Sequence, residues 1–342
     1  MTDRLVISID AMGGDHGPSV ILPAVAASLK RLGDVGFILH GDPAVIAGVA
    51  KGALDPRITV RESQGVIASD AKPAHAMRRG KGTSMWNTVE SVRSGEAHAA
   101  VSAGNTGALM AISRLLLRMV GGMERPALVA NWPTSRGVSS VLDVGANINC
   151  DEDRLVDFAI LGAAFHRAVH GTARPSVGLL NVGVESEKGH EEVKGADHLL
   201  RGQHHEFNYR GFVEGDDIAK GTVDVIVTDG FTGNVALKTA EGLARFFRDQ
   251  LRSTLTASPS AKLGALIASG PLRAMAKRLD PSTVNGGPFL GLAGIVVKSH
   301  GGSDAPGMCN AINMAAELAR GDFVRAIDRD LAKRSATAGA AA

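Results

Sequence analysis

The residues of this sequence best suited to chemistry lie in short glycine-rich stretches that follow apolar runs. In ISIDAMGGDHGP, an alternating apolar run ends at Asp10 and is followed by glycines, Asp15 and His16. The same form recurs in VSAGNTGAL, DVGAN, NVGVESEKG, TDGFTGNVAL and SHGGSDAPG. None of them is a G-x-G-x-x-G fingerprint or a P-loop. Because ligands of parallel sheets bind outside the carboxyl ends of the strands, these stretches predict one shared binding cleft.

Two of the stretches share the pattern hydroxyl-x-Gly-x-Thr-Gly, at 102–107 and 228–233. Each leads into an apolar helix, whose first N–H groups and positive dipole end favour an anion. Thr106 and Thr232 are predicted to cap these helices and to present hydroxyls to the ligand. A single turn of this kind has a purely structural explanation, since a capped connection between a strand and a helix needs Gly and Thr in any case. Taken together, they predict an anion site formed by Ser102, Gly104, Asn105, Thr106, Gly107, Thr232 and Gly233.

The sequence lacks the patterns of other catalytic sites. It has no H-E-x-x-H or paired C-x-x-C, so no metal is expected, and it has no G-x-S-x-G nucleophile elbow. Cys150 has no identifiable base beside it, and His166 and His170 fit a solvated helix face. The cleft is therefore predicted to position substrates, with an anionic substrate as the nucleophile.

Strand-like runs alternate with helical patterns along most of the chain. This alternation predicts an α/β fold with a mainly parallel open sheet flanked by helices. No linker divides the sequence, so we expect one catalytic domain over 1–334 and a flexible tail over 335–342.

Composition excludes several function classes. The net charge of +2 and the aromatic content of 4% give no support for a nucleic-acid partner. Two distant cysteines, together with an N-terminus that does not resemble a signal peptide, favour a cytoplasmic protein.

One segment departs from the alternation and is predicted to form a protruding amphipathic helical arm at about 256–280. It is expected to contain two short helices hinged at Gly270–Pro271, with an apolar face and a basic face that includes Arg273, Lys277 and Arg278. Packing against a dimer partner and contact with anionic lipid are both compatible with this pattern.

The stretches above, with RPAL, GFVEGDDI and HGGSDA, together resemble the successive signature blocks of the bacterial acyl-ACP:phosphate acyltransferases, where ACP is the acyl carrier protein. The resemblance covers about residues 5–319. It implies transfer of a fatty acyl group from acyl-ACP to inorganic phosphate, giving acyl phosphate for phospholipid synthesis. It also implies an isocitrate/isopropylmalate dehydrogenase-like fold akin to phosphotransacetylases, no cofactor, and a homodimer. A membrane glycerol-3-phosphate acyltransferase would use the product, and the arm would touch the membrane peripherally.

The resemblance places the family's active-site lysine and asparagine at Lys188 and Asn234. Either one would donate to the carbonyl oxyanion, or Lys188 would neutralise phosphate. Asp10 is predicted to orient a neighbouring donor, and His16 either protonates the leaving thiolate or is a surface residue. The stretch from Asp280, DPSTVNGGPFLG, departs from the family pattern, which bears on acyl-chain preference. A phosphotransacetylase that uses acyl-CoA and a non-catalytic membrane scaffold are the alternatives.

Overall fold

The computed structural model describes residues 4–50, 52–202, 205–278 and 285–341. Within these ranges the chain forms eleven strands and thirteen helices. The strands are β1 Leu5–Asp10, β2 Val35–Gly41, β3 Ile58–Glu62, β4 Ala99–Ser102, β5 Ala127–Thr134, β6 Gly137–Leu142, β7 Ser176–Leu180, β8 Asn208–Val213, β9 Val225–Val227, β10 Gly287–Leu290 and β11 Ile295–Lys298. The helices are α1 Pro18–Arg31, α2 Pro43–Ala50, α3 Pro73–Arg79, α4 Ser84–Arg93, α5 Thr106–Leu117, α6 Glu152–His170, α7 Glu191–Gly202, α8 Gly215–Lys220, α9 Gly230–Thr256, α10 Pro259–Ile267, α11 Ser269–Arg278, α12 Ala305–Arg320 and α13 Phe323–Ala341.

All the described strands join one sheet, in the order β3-β2-β1-β4-β11-β10-β5-β6-β9-β7-β8. The first five strands of this order run parallel to one another, and so do the last four. Between the two groups, β10 is antiparallel to β11 and to β5, and β5 is antiparallel to β6. These three reversals make the two parallel groups point in opposite directions. The carboxyl ends of β1, β4 and β11 therefore lie at one end of the strands, which we call the first edge. Those of β6, β7 and β9 lie at the opposite end, which we call the second edge.

The sheet separates two apolar layers because successive side chains of a strand point to opposite faces. In β1, Ile7 and Ile9 are fully buried in the layer that holds α1, α6 and α12. On the other face, Leu109 of α5 and Met85 of α4 pack with residues of β4 and β11. Helices α5 and α9 contribute to this second layer and so lie on the same side of the sheet as each other.

The prediction of an α/β fold with a large, mainly parallel sheet flanked by helices is confirmed. The prediction of one cleft at one edge is wrong as stated, because β10 and β5 reverse the strand direction and divide the six glycine turns into two sets of three. Five elements were not predicted, namely β8, β10, α3, α8 and α13. The last of these continues through the expected tail to Ala341.

The segment expected to form the arm contains α10 and α11, which follow the long helix α9. The break between them falls at Ala268, so Gly270 and Pro271 lie within the first turn of α11. None of the residues of α10 is buried, and Leu266 and Ile267 expose 70% and 78% of their surface. Within the described ranges, no helix has both the length and the apolar character that crossing a membrane requires.

Candidate active site

At the first edge, a chain of hydrogen bonds connects β1 to the turn after β4. The hydroxyl of Ser102 donates to Asp10 Oδ2 at 2.7 Å, and its oxygen accepts the N–H of Gly104 at 3.0 Å. Asp10 and Ser102 are both buried. Burial raises the pKa of Asp10, and hydrogen bonds to the carboxylate, including the one from Ser102, oppose this shift. Asp10 is thus linked to the Gly104 peptide through Ser102, and its expected role of orienting a donor stays a prediction.

Glycines allow three turns to meet at this edge. A Cβ on Gly13 would overlap Asp10 Oδ2 and lie 3.0 Å from the nitrogen of Gly104. Gly14 has a φ of +84°, and a Cβ there would lie 2.9 Å from both Ala103 Cβ and the carbonyl oxygen of Gly301. The neighbouring Asp15 donates its N–H to that same carbonyl at 2.9 Å. The side chain of His16 is exposed, and its carbonyl accepts the hydroxyl of Ser19.

The start of α5 offers unused amide donors. Asn105 is the N-cap: its Oδ1 accepts the N–H of Ala108 at 2.8 Å, and its Nδ2 donates to the carbonyls of Ser69 and Ala71. The prediction that Thr106 caps this helix is therefore wrong, because the N-cap residue is Asn105 and Thr106 is the first residue of the helix. For the N–H groups of Thr106 and Gly107, the described part of the chain provides no acceptor. These two amides can bind an anion.

The end of β11 carries a lysine that the sequence analysis did not single out. Lys298 stands beside Ser102 in the register of β11 and β4. Its ammonium donates to the carbonyl of Ala103 at 3.2 Å and to that of Ser299. Burial lowers the pKa of Lys298 to about 8, Lys238 lowers it further, and the charges of Asp15 and Asp10 oppose this. In the sequence, its only distinguishing feature is that it directly precedes SHGGSD.

Asn285 fixes the turn that follows Lys298. Its Nδ2 lies within hydrogen-bonding distance of Ser299 Oγ, Ser303 Oγ and the carbonyl of Gly307, and its Oδ1 accepts the N–H of His300. This residue belongs to the stretch that departs from the family pattern. Residues 280–284 of that stretch lie outside the described residues. Asn285 thus connects the start of β10 to the third turn of the first edge.

At the second edge, most backbone N–H groups in the first turn of α9 already donate to acceptors within the protein. Asp229 is the N-cap, and it accepts both the N–H and the hydroxyl of Thr232, at 2.8 and 2.7 Å. Gly230 donates to the carbonyl of Asn147, and Gly233 donates to the carbonyl of Asp229. The prediction that Thr232 caps α9 is therefore wrong. The start of α9 offers an anion fewer donors than the start of α5 does.

Asn234 lies near the start of α9, which follows β9, and Lys188 lies in the loop that follows β7. Asn234 faces Gly145 of the DVGAN turn, where a Cβ would lie 3.6 Å from its side-chain oxygen. Lys188, after β7, is half exposed, and its ammonium donates to Glu185 at 2.8 Å. The carboxylate of Glu185 raises the pKa of Lys188. Since β7 and β9 are adjacent, both residues belong to the second edge, whereas the α5 amides belong to the first.

Helix α9 connects the two edges. It begins beside Asp143 and Asn147, where Gly233 lies so close that a Cβ would overlap the carbonyl oxygen of Asp143. Two turns further on, Lys238 interacts electrostatically with Lys298, and Glu241 and Lys238 interact with His300. The candidate site is therefore the space between the start of α5 and the first turns of α9, on one face of the sheet.

The surroundings of Cys150 and His166 do not suit a nucleophile or a metal ligand. Burial, with the nearby carboxylates of Asp143 and Asp229, raises the pKa of the Cys150 thiol to about 12. His166 is buried rather than solvated: its Nδ1 lies 3.0 Å from Ser140 Oγ, and burial lowers its pKa to about 4. Across the described ranges, no cluster of three or more potential metal ligands is found.

The basic residues of the expected arm lie on α11. Arg273 is exposed, and Lys277 and Arg278 form the end of that helix.

The fold and site define an α/β protein of the phosphotransacetylase type of architecture. A phosphotransacetylase from Streptococcus pyogenes superimposes with a TM-score of 0.63 at 17% identity, covering 94% of this chain and 95% of that one. The EutD phosphotransacetylase from Staphylococcus aureus gives a TM-score of 0.60 at 15% identity over 92% and 94%. These similarities support the predicted kinship in fold. The isocitrate/isopropylmalate dehydrogenase-like assignment stays a prediction.

Sequence comparison identifies the family. The family model described as fatty acid synthesis protein matches residues 5–326. A protein of Caulobacter vibrioides called phosphate acyltransferase is 64% identical, over 99% of this chain and 95% of that protein. A phosphate acyltransferase of Phenylobacterium zucineum is 56% identical over 100% and 98%. The chain belongs to the fatty acid synthesis protein family, and the resemblance inferred from the sequence is confirmed.

Proposed function

We propose that this chain transfers a fatty acyl group from the thioester of acyl-ACP to inorganic phosphate, giving acyl phosphate and free ACP. The names of its relatives support acyl transfer to phosphate. The observation that carries the proposal is the pair of unused amides at Thr106 and Gly107, beside the ordered Gly104 peptide. Amides at a helix start bind oxyanions such as phosphate without a metal or cofactor.

Phosphate is the nucleophile in this reaction. A phosphate monoester has a second pKa of about 6, so we expect inorganic phosphate to be substantially dianionic at neutral pH and to need no strong base. One phosphate oxygen attacks the thioester carbon, the carbon–sulfur bond breaks, and the ACP thiolate leaves and takes up a proton. Holding phosphate in line with the carbonyl supplies up to about 7–11 kcal/mol of the barrier reduction. The exposed His16 is the candidate donor of the proton, and bulk water is the alternative source.

The carbonyl oxygen becomes negative as phosphate attacks. Asn234, which faces Gly145 at the start of α9, is our candidate donor to this oxyanion, and one such donor is typically worth about 3–4 kcal/mol. Lys188 either shares this role or neutralises phosphate after its bond to Glu185 is exchanged for one to substrate. Asp10 acts through Ser102 on the Gly104 peptide and does not itself face the anion.

The partners of this reaction are acyl-ACP, phosphate and a second copy of the chain. Helix α9 has only Gly230 and Gly233 buried, and Leu243, Phe246 and Phe247 each expose more than half of their surface. We assign this apolar face to a homodimer interface. The exposed apolar tips of α10 meet a lipid surface, and Arg273, Lys277 and Arg278 attract acidic ACP or anionic headgroups. Peripheral attachment would bring acyl phosphate near a membrane glycerol-3-phosphate acyltransferase.

The test is an assay with purified protein, palmitoyl-ACP and phosphate, in which hydroxylamine traps acyl phosphate as hydroxamate. We expect hydroxamate that depends on phosphate and an equal amount of free ACP thiol. Absence of product from a protein that unfolds cooperatively would overturn the proposal and favour a membrane scaffold. A rate with acetyl-CoA that exceeds the rate with palmitoyl-ACP would instead favour a phosphotransacetylase.

The control for the assay is a reaction without phosphate. A covalent acyl-enzyme route would release free ACP thiol in that control, in an amount equal to the enzyme present. Direct attack by phosphate predicts no such release, and mass spectrometry of the protein then detects no acyl adduct.

A further inference from the structure

Lys298 is a half-buried lysine whose ammonium is bonded to the turn before α5. It is the register neighbour of Ser102, and it donates to the carbonyl of Ala103, the residue before Gly104. Its second acceptor is the carbonyl of Ser299, whose own N–H donates to the carbonyl of Ser102 at 2.9 Å. Lys298 therefore bridges the ends of β4 and β11.

The ammonium retains a donor for a ligand. A lysine ammonium carries three N–H groups, and the bonds to Ala103 and Ser299 account for two of them. The charges of Asp15 from the turn after β1 and of Lys238 from α9 act on this ammonium, and Glu241 and Lys238 act on His300. Its acceptor Ala103 lies three residues before Thr106, so the ammonium is tied to the loop that leads into α5.

We propose that Lys298 binds the phosphate substrate directly, as the cation that accompanies the α5 amides. This inference rests on the function proposed above and assigns one residue to its nucleophile site. Two neutral amides do not balance a dianion that lies near Asp10 and Asp15, because like charges repel. An ammonium held at fixed position by two carbonyls supplies that balance, and a charge-assisted bond to phosphate is stronger than a neutral one.

The burial of Lys298 adds a pH signature. The pKa of the free lysine is lowered to about 8, chiefly by burial, so the ammonium is lost as pH rises through 8 in the unliganded protein. Inorganic phosphate loses its second proton at the lower end of this range, so affinity is compared per dianion, and that affinity should fall between pH 7 and pH 9. Burial lowers the pKa of His300 as well, which places its titration below this range.

The test compares Lys298→Met, Lys298→Arg and Lys30→Met in phosphate titration by calorimetry and in steady-state kinetics. Lys30 lies exposed in the last turn of α1 and serves as the matched control. For Lys298→Met we expect KM and Kd for phosphate to rise at least about tenfold, as loss of a charged hydrogen bond implies. The KM for palmitoyl-ACP should change less than about twofold, since that substrate is bound elsewhere. Lys30→Met should match the wild type.

Lys298→Arg keeps the positive charge and cannot be deprotonated in this range. We expect it to remove the fall in phosphate affinity between pH 7 and pH 9, which a merely structural role would not do. If Lys298→Met does not fold, this pH profile decides the matter by itself. The proposal is overturned if wild-type affinity is flat across that range, or if folded Lys298→Met binds phosphate as the wild type does. Normal phosphate binding without hydroxamate formation would overturn the proposed function instead.

Discussion

Replacing Gly13 by alanine tests whether the close contact between the turns after β1 and β4 sets the position of the anion site. A Cβ at this position would lie 2.9 Å from Asp10 Cγ and 3.0 Å from the nitrogen of Gly104, and it would overlap Asp10 Oδ2. Since non-bonded carbon atoms pack at about 3.5 Å or more, the Asp10 carboxyl must retreat by about 0.6 Å. That shift weakens the 2.7 Å bond from Ser102 and moves the Gly104 peptide.

Overpacking typically costs about 1–3 kcal/mol, and weakening a buried charged hydrogen bond adds about 1–2 kcal/mol. We therefore expect Gly13→Ala to lower the free energy of unfolding by about 2–4 kcal/mol in urea titration and to raise the KM for phosphate. Gly33→Ala is the matched control, because a Cβ there meets no atom within 4 Å. If Gly13→Ala unfolds within about 0.5 kcal/mol of the wild type and keeps its KM, the contact does not position the site.

Three further predictions address the nucleophile, pH stability and the arm. Cys150→Ser should keep at least about half of the wild-type kcat, because a buried thiol with a pKa near 12 is not a nucleophile; a hundredfold loss in the hydroxamate assay would contradict this. Because His166 titrates at about 4 in the folded chain and at about 6.5 when unfolded, the free energy of unfolding should fall by up to ~3 kcal/mol as pH drops through that window. Urea titrations of His166→Gln should lack this part of the slope, and an unchanged slope would show that another group causes it. Reversing Arg273, Lys277 and Arg278 to glutamate should abolish flotation with anionic vesicles if the arm binds lipid, whereas a higher KM for palmitoyl-ACP with intact flotation would assign these residues to ACP.

Most helices and strands were predictable because apolar periodicity and N-cap residues lie within the element or next to it in the sequence. The alternating apolar run that ends at Asp10, which forms β1, is an example. The cap residues Asn105 and Asp229 were also readable, since Asn and Asp are good N-caps, but the neighbouring threonines were chosen instead.

The directions of the strands within the sheet could not be predicted from local sequence patterns. The short strand β10 contains glycine and proline, which are poor strand formers, and its antiparallel pairing with β11 and β5 is set by contacts distant in sequence. Its absence from the prediction led to one edge being expected where the structure has two. Lys298 was missed for a related reason, since its value comes from standing beside Ser102 and Ala103, nearly two hundred residues away along the chain.

The length of α9 has a consequence for product transfer. Its 27 residues form a rod of about 40 Å, which carries Asn234 near its start and ends just before α10. If α10 anchors the protein to a bilayer while α9 stands upright, acyl phosphate is made roughly a helix length above the lipid and has to cross water to reach its consumer. If α9 lies along the bilayer, the apolar chain passes directly from protein to lipid. The tilt of α9 therefore determines whether the apolar, water-labile acyl phosphate passes directly into the bilayer or is first released into water.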